Sequence, residues 1–542
     1  MNSRGGIDGA RPAVRAKSRS GGSIATVLLA FIAVIAALVA GGCQDRAARD
    51  AASGGSAASG GKAKSSSAGS VITIAVLPFD NVSGETANDY VSTGFAEELA
   101  RMVGGLAPAN VRVIAPESAR WFKRSEQDVA AAATELGAQF VVRGSVERHS
   151  EVVKIAAEVM PTAGGAVKWS TTHECDMKDA GAQLKEMAQA VVRAAAGLGT
   201  EIVDREPGRG SAKFSMVYDT HIKARVLLVE AGPDELLQVI ELYENSLQMD
   251  PEFRLTYAGI GLAHQAAGDL PSAKWGARMN VVKGRSRGMK SMERGEEFCE
   301  ARTLAAIALT RIDGRWAQGE EAFQRAIALN PSYVPARAAY SDFLSATGRT
   351  ADAIAQAELV CTLDPLAASA RALLGERRLE AGDAAGATKE FTGAIALDTT
   401  CLPARIGLTS TLIQQKKYDE AIAMATSAVD QSERSAPAMA QLARALAGAG
   451  RADEARALLD ELETRVAKSF VSPYAMAVAA ASIGDTEAAF GLLDKAILDR
   501  SRPVGLIDRD PAIASLRSDP RYETVRVKLG LAAPPPQPPP QP

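Results

Sequence analysis

Small and large apolar residues recur along the second half of the chain at a spacing of 34 residues. Ala387, Phe391 and Ala394 illustrate the pattern, because residues four and seven apart lie on one face of a helix. Their counterparts are Ala353, Ala421, Ala455 and Ala489 for the first position; Phe323, Ala357, Ala425, Leu459 and Leu493 for the second; and Ala326, Val360, Ala428, Leu462 and Ala496 for the third. The pattern predicts a row of stacked helix pairs.

Turn-forming residues separate the helices at the same spacing. The glycines are Gly314, Gly348, Gly382, Gly450 and Gly484, and Pro331, Pro365 and Thr399 mark the ends of the pairs. A glycine allows a tight turn after one helix, and a proline ends the next. Less regular pairs are predicted upstream, one ending near Asp250-Pro251 and another beginning at Tyr257.

Residues 71–205 show a different pattern, in which alternating apolar strands are interspersed with amphipathic helices. The predicted strands are 71–81, 111–116, two within 139–160 joined near His149-Ser150, and one beginning at 167–169; the predicted helices are 89–106, 128–138 and 182–198. We expect Gly104-Gly105 to close the first helix. The mixture predicts an α/β sandwich preceding the helical repeats.

The amino terminus has the pattern of an export signal. Residues 1–22 carry five basic residues and one acid, residues 24–40 are apolar or small, and Gly42-Cys43 follows. In one interpretation Cys43 is the lipidated residue after cleavage, and in the other the apolar run is an uncleaved anchor. Both place the bulk of the chain outside the cytoplasm. Residues 44–70 are rich in Gly, Ser and Ala and predict a flexible linker.

Several motifs in residues 71–200 carry a family resemblance. IAVLPFDNVSG, GFAEELARM, VRVIAP, LGAQFVVRGSVER and VKWS, in this order, resemble the amino-terminal domain of TolB-like proteins. Gly42-Cys43 resembles a bacterial lipobox, although Ala40 replaces the usual leucine. The resemblance implies an interaction or sensing role, and it supplies no catalytic residues.

The 34-residue units resemble tetratricopeptide repeats, so we assign residues 213–531 to a solenoid of such repeats with a C-terminal capping helix. In that family the fifth and ninth positions of the first helix often face a peptide-binding groove. The candidate groove residues are Asp342, Glu376, Ser410 and Arg444 at the ninth position and Ile406 and Tyr474 at the fifth. The Lys and Asn pair that clamps a C-terminal carboxylate in some members is missing. The face therefore suits an apolar peptide or a partner helix.

Two further segments leave alternatives open. The basic stretch at 283–297 is expected to be a solvated loop between repeats, or a patch for an anionic partner. Residues 534–542, PPPQPPPQP, predict an exposed polyproline II tail within the terminal segment 532–542, which either has no partner or binds a proline-recognising or cell-wall partner. Residues 508–531 are expected to seal the solenoid, with Asp510-Pro511 and Asp519-Pro520 starting helices, rather than to form a docking motif.

Composition narrows the chemistry. The net charge is −3, which gives no support for nucleic acid as the main partner. The four histidines lie far apart and no CxxC motif occurs, so we expect no metal site, no cofactor and buried free thiols. His173-Glu174-Cys175 lies in a strand, where neighbours alternate faces. We expect Glu97 and Glu98 to be solvated on a helix surface.

No phosphate-binding loop, HExxH or kinase motif occurs, so the sequence favours a protein that is not an enzyme. Two functions remain. The first is a membrane-tethered interaction scaffold of the cell envelope that binds protein partners in the repeat groove. The second is a sensory module whose α/β domain binds a small ligand or a signalling partner.

Overall fold

The computed structural model describes residues 71–125, 129–207, 209, 212–232, 235–269, 277–291, 297–499 and 505–531. The predicted signal or anchor, Cys43, the linker and the proline-rich tail lie outside these residues. Within the described ranges, no helix has both the length and the apolar character required to cross a membrane.

The first part of the described chain contains a six-stranded mixed sheet. Its strands are β1 (Ile72–Val76), β2 (Asp80–Asn81), β3 (Val111–Val113), β4 (Phe140–His149), β5 (Val152–Pro161) and β6 (Trp169–Asp176). The main order is β3-β1-β4-β5-β6, and β2 pairs with β4. β1 is parallel to β3 and β4, and β2 is parallel to β4, whereas β5 is antiparallel to both β4 and β6. The predicted α/β fold is present here.

Helices cover both faces of the parallel part of the sheet. The helices are α1 (Asp89–Leu106), α2 (Pro116–Ser125), α3 (Val129–Glu135) and α4 (Ala180–Ala196). Phe95 and Leu99 of α1 and Leu184 of α4 share one core with Ile74. On the other face, α2 and α3 contribute to a smaller core around Val141.

Two details of this domain differ from the sequence prediction. The pattern missed α2, whose apolar residues are too few to mark it. The helix α1 ends at Leu106 as predicted, but Gly104 and Gly105 lie inside its last turn and its C-cap is Ala107. The glycines serve close approach instead: a Cβ on Gly104 would lie 2.7 Å from the side-chain oxygen of Asn330, so only glycine lets the repeat region pack here.

The remainder of the chain forms antiparallel helix pairs. They are α5 (Ser215–Glu230) with α6 (Glu235–Met249), α7 (Arg254–Asp269) with α8 (Ala277–Ser291), α9 (Cys299–Arg311) with α10 (Trp316–Leu329), α11 (Val334–Ala346) with α12 (Thr350–Leu363), α13 (Ala368–Glu380) with α14 (Ala384–Leu397), α15 (Leu402–Gln414) with α16 (Tyr418–Gln431), α17 (Ala436–Gly448) with α18 (Ala452–Val466), and α19 (Pro473–Ser482) with α20 (Thr486–Asp499).

The 34-residue pattern lies in the second helix of each pair from α10 to α20, and it is buried as predicted. Ala387, Phe391 and Ala394 are all fully buried, and their counterparts are at most 2% exposed. The five predicted glycines all have positive φ values between 65° and 83°. In the one unit without glycine, Lys416 takes the same left-handed conformation at a φ of 59°.

The first helices of the pairs line the inner side of the solenoid. From α9 to α19 each first helix contacts the next one, and each second helix lies between its own partner and the following first helix. Helices that approach one another along a row occupy the inner side of a curved array, because the outer row must spread apart. α8 also contacts α20, so the array curls until its early and late helices meet.

The C-terminal segment, residues 505–531, crosses this inner side. It contains a 3₁₀ turn at Pro511–Leu516 and the helix α21 (Arg521–Leu529). As predicted, Asp510 caps the turn by accepting from the backbone N–H of Ala512, and Asp519 accepts from that of Arg521. Ile507 and Ile513 are fully buried in one core with α19 and α20.

The α/β domain and the first repeats share an apolar core. Phe95 contacts Tyr218 of α5, with ring centroids 6.3 Å apart, and Tyr218 contacts Phe253. Val113 donates its backbone N–H to the Ser332 hydroxyl at 3.0 Å, and Ala115 donates to the carbonyl of Leu363 at 2.7 Å. The docking surface therefore reaches from α5 to the end of α12.

Buried charges lie at this junction, and they overturn the prediction for Glu97 and Glu98. The two residues are 3% and 1% exposed. Glu97 pairs with Arg120, and Glu98 pairs with Arg209 at 3.3 Å and with Arg225. The sequence predicted two solvated carboxylates because nothing in α1 indicates the distant arginines that neutralise them.

Arg209 is the centre of this network. It also pairs with Glu206 at 2.5 Å and with Glu300 at 2.6 Å. Glu206, Cys299 and Glu300 place ligand atoms within 4.8 Å of one another, which is the geometry of a possible metal site. The guanidinium already supplies the positive charge there. Burial raises the pKa of the Cys299 thiol well above its ordinary value, which opposes thiolate ligation.

Three other sequence predictions can be compared with these elements. Most of the basic stretch at 283–297 is helical, within α8, rather than a loop; Arg287 pairs with Glu244 at 2.5 Å. The cysteines in the described part of the chain are free, with Cys299 and Cys401 buried and Cys175 and Cys361 half-buried. β6 shows the expected alternation of burial around His173, so its neighbours face away from it.

Candidate functional site

A cavity of about 200 Å³ lies on the inner side, between the first helices of the repeats and the C-terminal segment. Four of the six predicted groove residues line it: Glu376, Ile406, Ser410 and Tyr474. They come from α13, α15 and α19, and the 34-residue spacing places them on neighbouring first helices. The apolar wall is formed by Leu379, Ile406, Ala440, Ala475, Val478 and Leu506.

The other two predicted residues lie outside this lining. Asp342 lines a second, smaller cavity of about 50 Å³ together with Trp316, Phe323 and Leu529. Arg444 is buried behind the wall and donates to the Ser410 hydroxyl at 2.9 Å and to the Gln441 side-chain oxygen at 2.6 Å. Burial lowers the pKa of Arg444 from its ordinary value. Its position makes it a support for Ser410 rather than a direct ligand contact.

A buried arginine ties the acidic residues of the inner side together. Arg377 is 1% exposed and pairs with Asp342 at 3.1 Å, with Glu376 at 3.4 Å and with Glu380 at 2.7 Å. Burial raises the pKa of Glu380 to about 7 even though Arg377 opposes the shift. Glu380 also accepts from the Ser345 hydroxyl. One guanidinium thus holds carboxylates from two successive repeats in fixed positions.

The C-terminal segment completes the site. The Tyr474 hydroxyl donates to Asp510 at 2.6 Å, and burial together with that carboxylate raises the pKa of the phenol. The preceding residue, Arg509, donates to the carbonyl of Ser345 at 3.2 Å. Ser345 and Tyr474 belong to pairs with three others between them. Two adjacent residues therefore bridge distant repeats across the inner side.

This arrangement changes the sequence-based view of the groove. A groove open along its whole length was expected, but residues 505–531 occupy part of it, and Leu506, Asp510 and Pro511 contribute to the cavity lining. The sequence marked Asp510 and Pro511 as a helix start. It carried no signal that this start lies inside the solenoid, because the segment has no counterpart at the 34-residue spacing.

Comparison with known proteins supports the helical repeats. A family model described as tetratricopeptide repeat matches residues 412–481, from the end of α15 into α19. The chain carries tetratricopeptide repeats. Such repeats are typical of non-catalytic scaffolds.

Relatives and solved structures match parts of the chain. "Putative adenylate cyclase 3" of Rhizobium meliloti (strain 1021) is 25% identical over 193 residues, 35% of this chain and 32% of the relative. The chain thus spans about a third of the length of that relative. Pseudomonas aeruginosa pilF is 17% identical, with 40% of this chain and 93% of that chain covered and a TM-score of 0.31. The Cut9-Hcn1 structure is 14% identical, with coverages of 56% and 55% and a TM-score of 0.38.

Proposed function

We propose that the chain is a non-catalytic interaction scaffold that binds protein partners in the inner-side cavity. The supporting observation is the convergence of Glu376, Ile406, Ser410 and Tyr474 on one cavity with an apolar wall. Concave, mostly apolar sites with a few fixed polar groups are typical binding sites. The repeats supply the wall, and the C-terminal segment supplies one side.

The lining specifies the kind of peptide that fits. The wall accepts one or two apolar side chains from an extended segment or a helix. Glu376 and Asp510 border the same cavity and favour a basic residue beside the apolar anchor. Ser410 and Gln441 can bond to the peptide backbone, since both have polar side chains in the lining.

The cellular setting is also a proposal. The basic segment, the apolar run and Gly42-Cys43 favour a tether to a bacterial membrane, through a lipid on Cys43 or through the run itself. The bulk of the chain would then lie in the periplasm. The ordered motifs in residues 71–200 support a TolB-like amino-terminal domain.

A filling substitution tests the binding site. Ile406→Trp in the full chain fills the cavity, whereas Ala423→Trp adds the same side chain at an exposed position of α16. Peptides selected on the full chain from a random library should bind the wild type and the Ala423 variant equally. The Ile406 variant should lose about tenfold or more in affinity, which is the size expected for losing a buried anchor. Equal binding by all three proteins would place the interaction elsewhere.

A further inference from the structure

The two edges of the six-stranded sheet have different surroundings. β3, at one edge, lies against the repeats, where Val113 donates its backbone N–H to the Ser332 hydroxyl at 3.0 Å. β6, at the other edge, pairs with β5 alone among the described residues. An edge strand presents a row of unpaired N–H and carbonyl groups that can pair with a further strand. The sheet can therefore be extended at β6.

The register of β5 and β6 identifies the backbone groups that face this edge. Met177, directly after β6, donates its N–H to the Glu151 carbonyl at 2.8 Å, so residues 151 and 177 form a hydrogen-bonded pair. In an antiparallel ladder such pairs alternate with pairs that exchange no hydrogen bonds. The N–H and carbonyl groups of Ser170, Thr172 and Glu174 therefore point away from β5.

The side chains of β6 leave this edge accessible. The strand spans 8 residues without proline or glycine, and half-buried residues alternate with exposed ones along it. The exposed residues are Ser170, Thr172, Glu174 and Asp176. Side chains of a strand stand roughly perpendicular to the sheet, so these four do not cover the backbone groups at its edge.

The charges near β6 favour a second copy of the same strand. In an antiparallel pair of two copies centred on Thr172, this residue lies opposite itself and Ser170 lies opposite Glu174. The same register brings Asp176 level with Lys168 of the second copy. Paired threonines and opposite charges are favourable cross-strand neighbours, whereas like charges directly opposite are destabilising.

The other registers are less favourable. Centring the pair on Glu174 places this carboxylate opposite itself, and centring it on His173 leaves Lys168 without an acid opposite. Centres nearer Trp169 pair fewer residues of β6.

The two acids of β6 also have basic neighbours within their own chain. Glu174 lies opposite Lys154 of β5, and the Asp176 carboxylate lies 3.7 Å from the Lys178 ammonium group. These neighbours reduce the repulsion between the acids of two copies.

We propose that two copies of the chain associate by antiparallel pairing of their β6 strands, centred on Thr172. The two sheets then form one continuous sheet across the interface. β6 contributes none of the residues that line the inner-side cavity, so the proposal goes beyond the scaffold function and does not depend on it. A dimer would carry two such cavities, which increases the apparent affinity for a partner with two binding segments.

Sedimentation velocity of the full chain in a mild detergent, over the micromolar range, measures the association. We expect an equilibrium between one and two copies. Thr172→Pro removes the N–H that points to the free edge and takes no part in the ladder with β5. Because both central hydrogen bonds between the copies are lost, the dimer dissociation constant should rise about tenfold or more.

Thr172→Val is the matched control for this variant. It keeps the backbone N–H and a β-branched side chain, so its dissociation constant should stay within about threefold of the wild-type value.

A cysteine pair tests the register. In the proposed pair, Thr172→Cys places two thiols opposite one another with Cα atoms about 5.5 Å apart, within the range that a disulfide bridges. Glu174→Cys, also at an exposed position, leaves its two copies about 14 Å apart along the strands. Oxidation should link residue 172 to residue 172, with no comparable link at 174. Mass spectrometry of the linked peptides distinguishes these products from dimers formed through the natural cysteines.

Three results would overturn the proposal. A wild-type chain that stays a single copy throughout the micromolar range would leave this edge to a strand of a different protein. Equal dissociation constants for the wild type and a folded Thr172→Pro variant would place the contact between copies elsewhere. A link at 174 that forms as readily as the link at 172 would contradict the register. If circular dichroism shows that Thr172→Pro does not fold, the cysteine variants decide between these outcomes.

Discussion

The repeat region and the junction are packed by different means. From α10 to α20, the contacts between helices use small apolar residues such as Ala387, which recur at a fixed spacing and are fully buried. The junction combines an apolar core that includes Tyr218 with buried ion pairs such as that of Glu98 with Arg209. The first kind of packing is stabilised mainly by apolar burial, whereas the second adds buried ion pairs that are costly to break.

The difference explains what each region can do. The contacts that recur every 34 residues from α10 to α20, here called the ladder, form a regular support. The exposed side chains of the inner side can therefore vary without disturbing it. The junction is made once, from residues with no counterparts elsewhere in the chain, and it buries charged side chains between two folds. We therefore expect substitutions at the junction to be more damaging than substitutions in the ladder.

The largest effect should follow from removing a buried charge. Glu98→Ala leaves Arg209 and Arg225 without their shared carboxylate, and breaking a buried pair costs about 3–5 kcal/mol. Urea denaturation of the full chain measures the change in unfolding free energy. Glu487→Ala, in an exposed pair with Arg521, is the control and should cost no more than about 1 kcal/mol. Similar losses in the two variants would remove the distinction between buried and exposed charges.

The pH dependence of the unfolding free energy should identify two carboxyl groups with raised pKa values, one in each region. Burial raises the pKa of Glu380 in the repeats and of Asp364 at the junction, each to about 7. In the folded state each group keeps its proton up to about pH 7, whereas in the unfolded state it loses the proton near the ordinary carboxyl pKa. Folding stability therefore falls as the pH rises between these two values. The contribution reaches at most about 1.4 kcal/mol per pH unit for each group.

Glu380→Gln and Asp364→Asn should each flatten that slope, because an amide cannot titrate. Unfolding free energies measured from pH 4.5 to 7.5 in wild type and variants provide the comparison. If the wild type and both variants keep parallel pH profiles, these carboxyls are not the protonated groups of the folded state.

Within the ladder, overpacking should produce a moderate loss. Ala387→Leu inserts a larger side chain where neighbouring helices meet and should cost about 1–3 kcal/mol. Ala396→Leu, on the exposed side of the same α14, is a matched control and should change stability by less than about 0.5 kcal/mol. Thermal and urea unfolding of both variants provide the comparison. Equal effects would contradict the assignment of Ala387 to the buried face of α14.

The smallest effect concerns the turns of the repeats. Gly382 and Lys416 occupy equivalent left-handed positions, with φ values of 83° and 59°. Gly382→Ala should cost roughly 1 kcal/mol, and Lys416→Gly should gain a fraction of that, because only glycine adopts this conformation freely. The sign of the Lys416 change is the decisive observation, and a loss of stability there would be unexpected.

The sequence predicts the parts of this protein that repeat. The spacing that links Ala387 to Ala353 and Ala421 is enough to place helices, turns and the buried face, and the positions of Ile406 and Tyr474 follow from the same spacing. The α/β elements also follow from their alternating pattern. In each case the physical signal is local or periodic, so it can be seen without knowing the tertiary contacts.

Contacts that have no counterpart at the 34-residue spacing could not be predicted from the sequence pattern. Glu98 looks like a solvated residue until Arg209, more than a hundred positions away, is placed beside it. Asp510 looks like a simple cap until the C-terminal segment is found on the inner side, bonded to Tyr474. Long-range pairing of this kind leaves no period and no composition signal in a single sequence.

The most direct test of the account is to locate a bound peptide on the repeats. Hydrogen exchange of the full chain, with and without a peptide selected from a library, reports which backbone amides become protected. The account predicts added protection in α13, α15 and α19 and in residues 505–516, which border the inner-side cavity. Protection confined to the outer helices α14, α16 and α18 would contradict it.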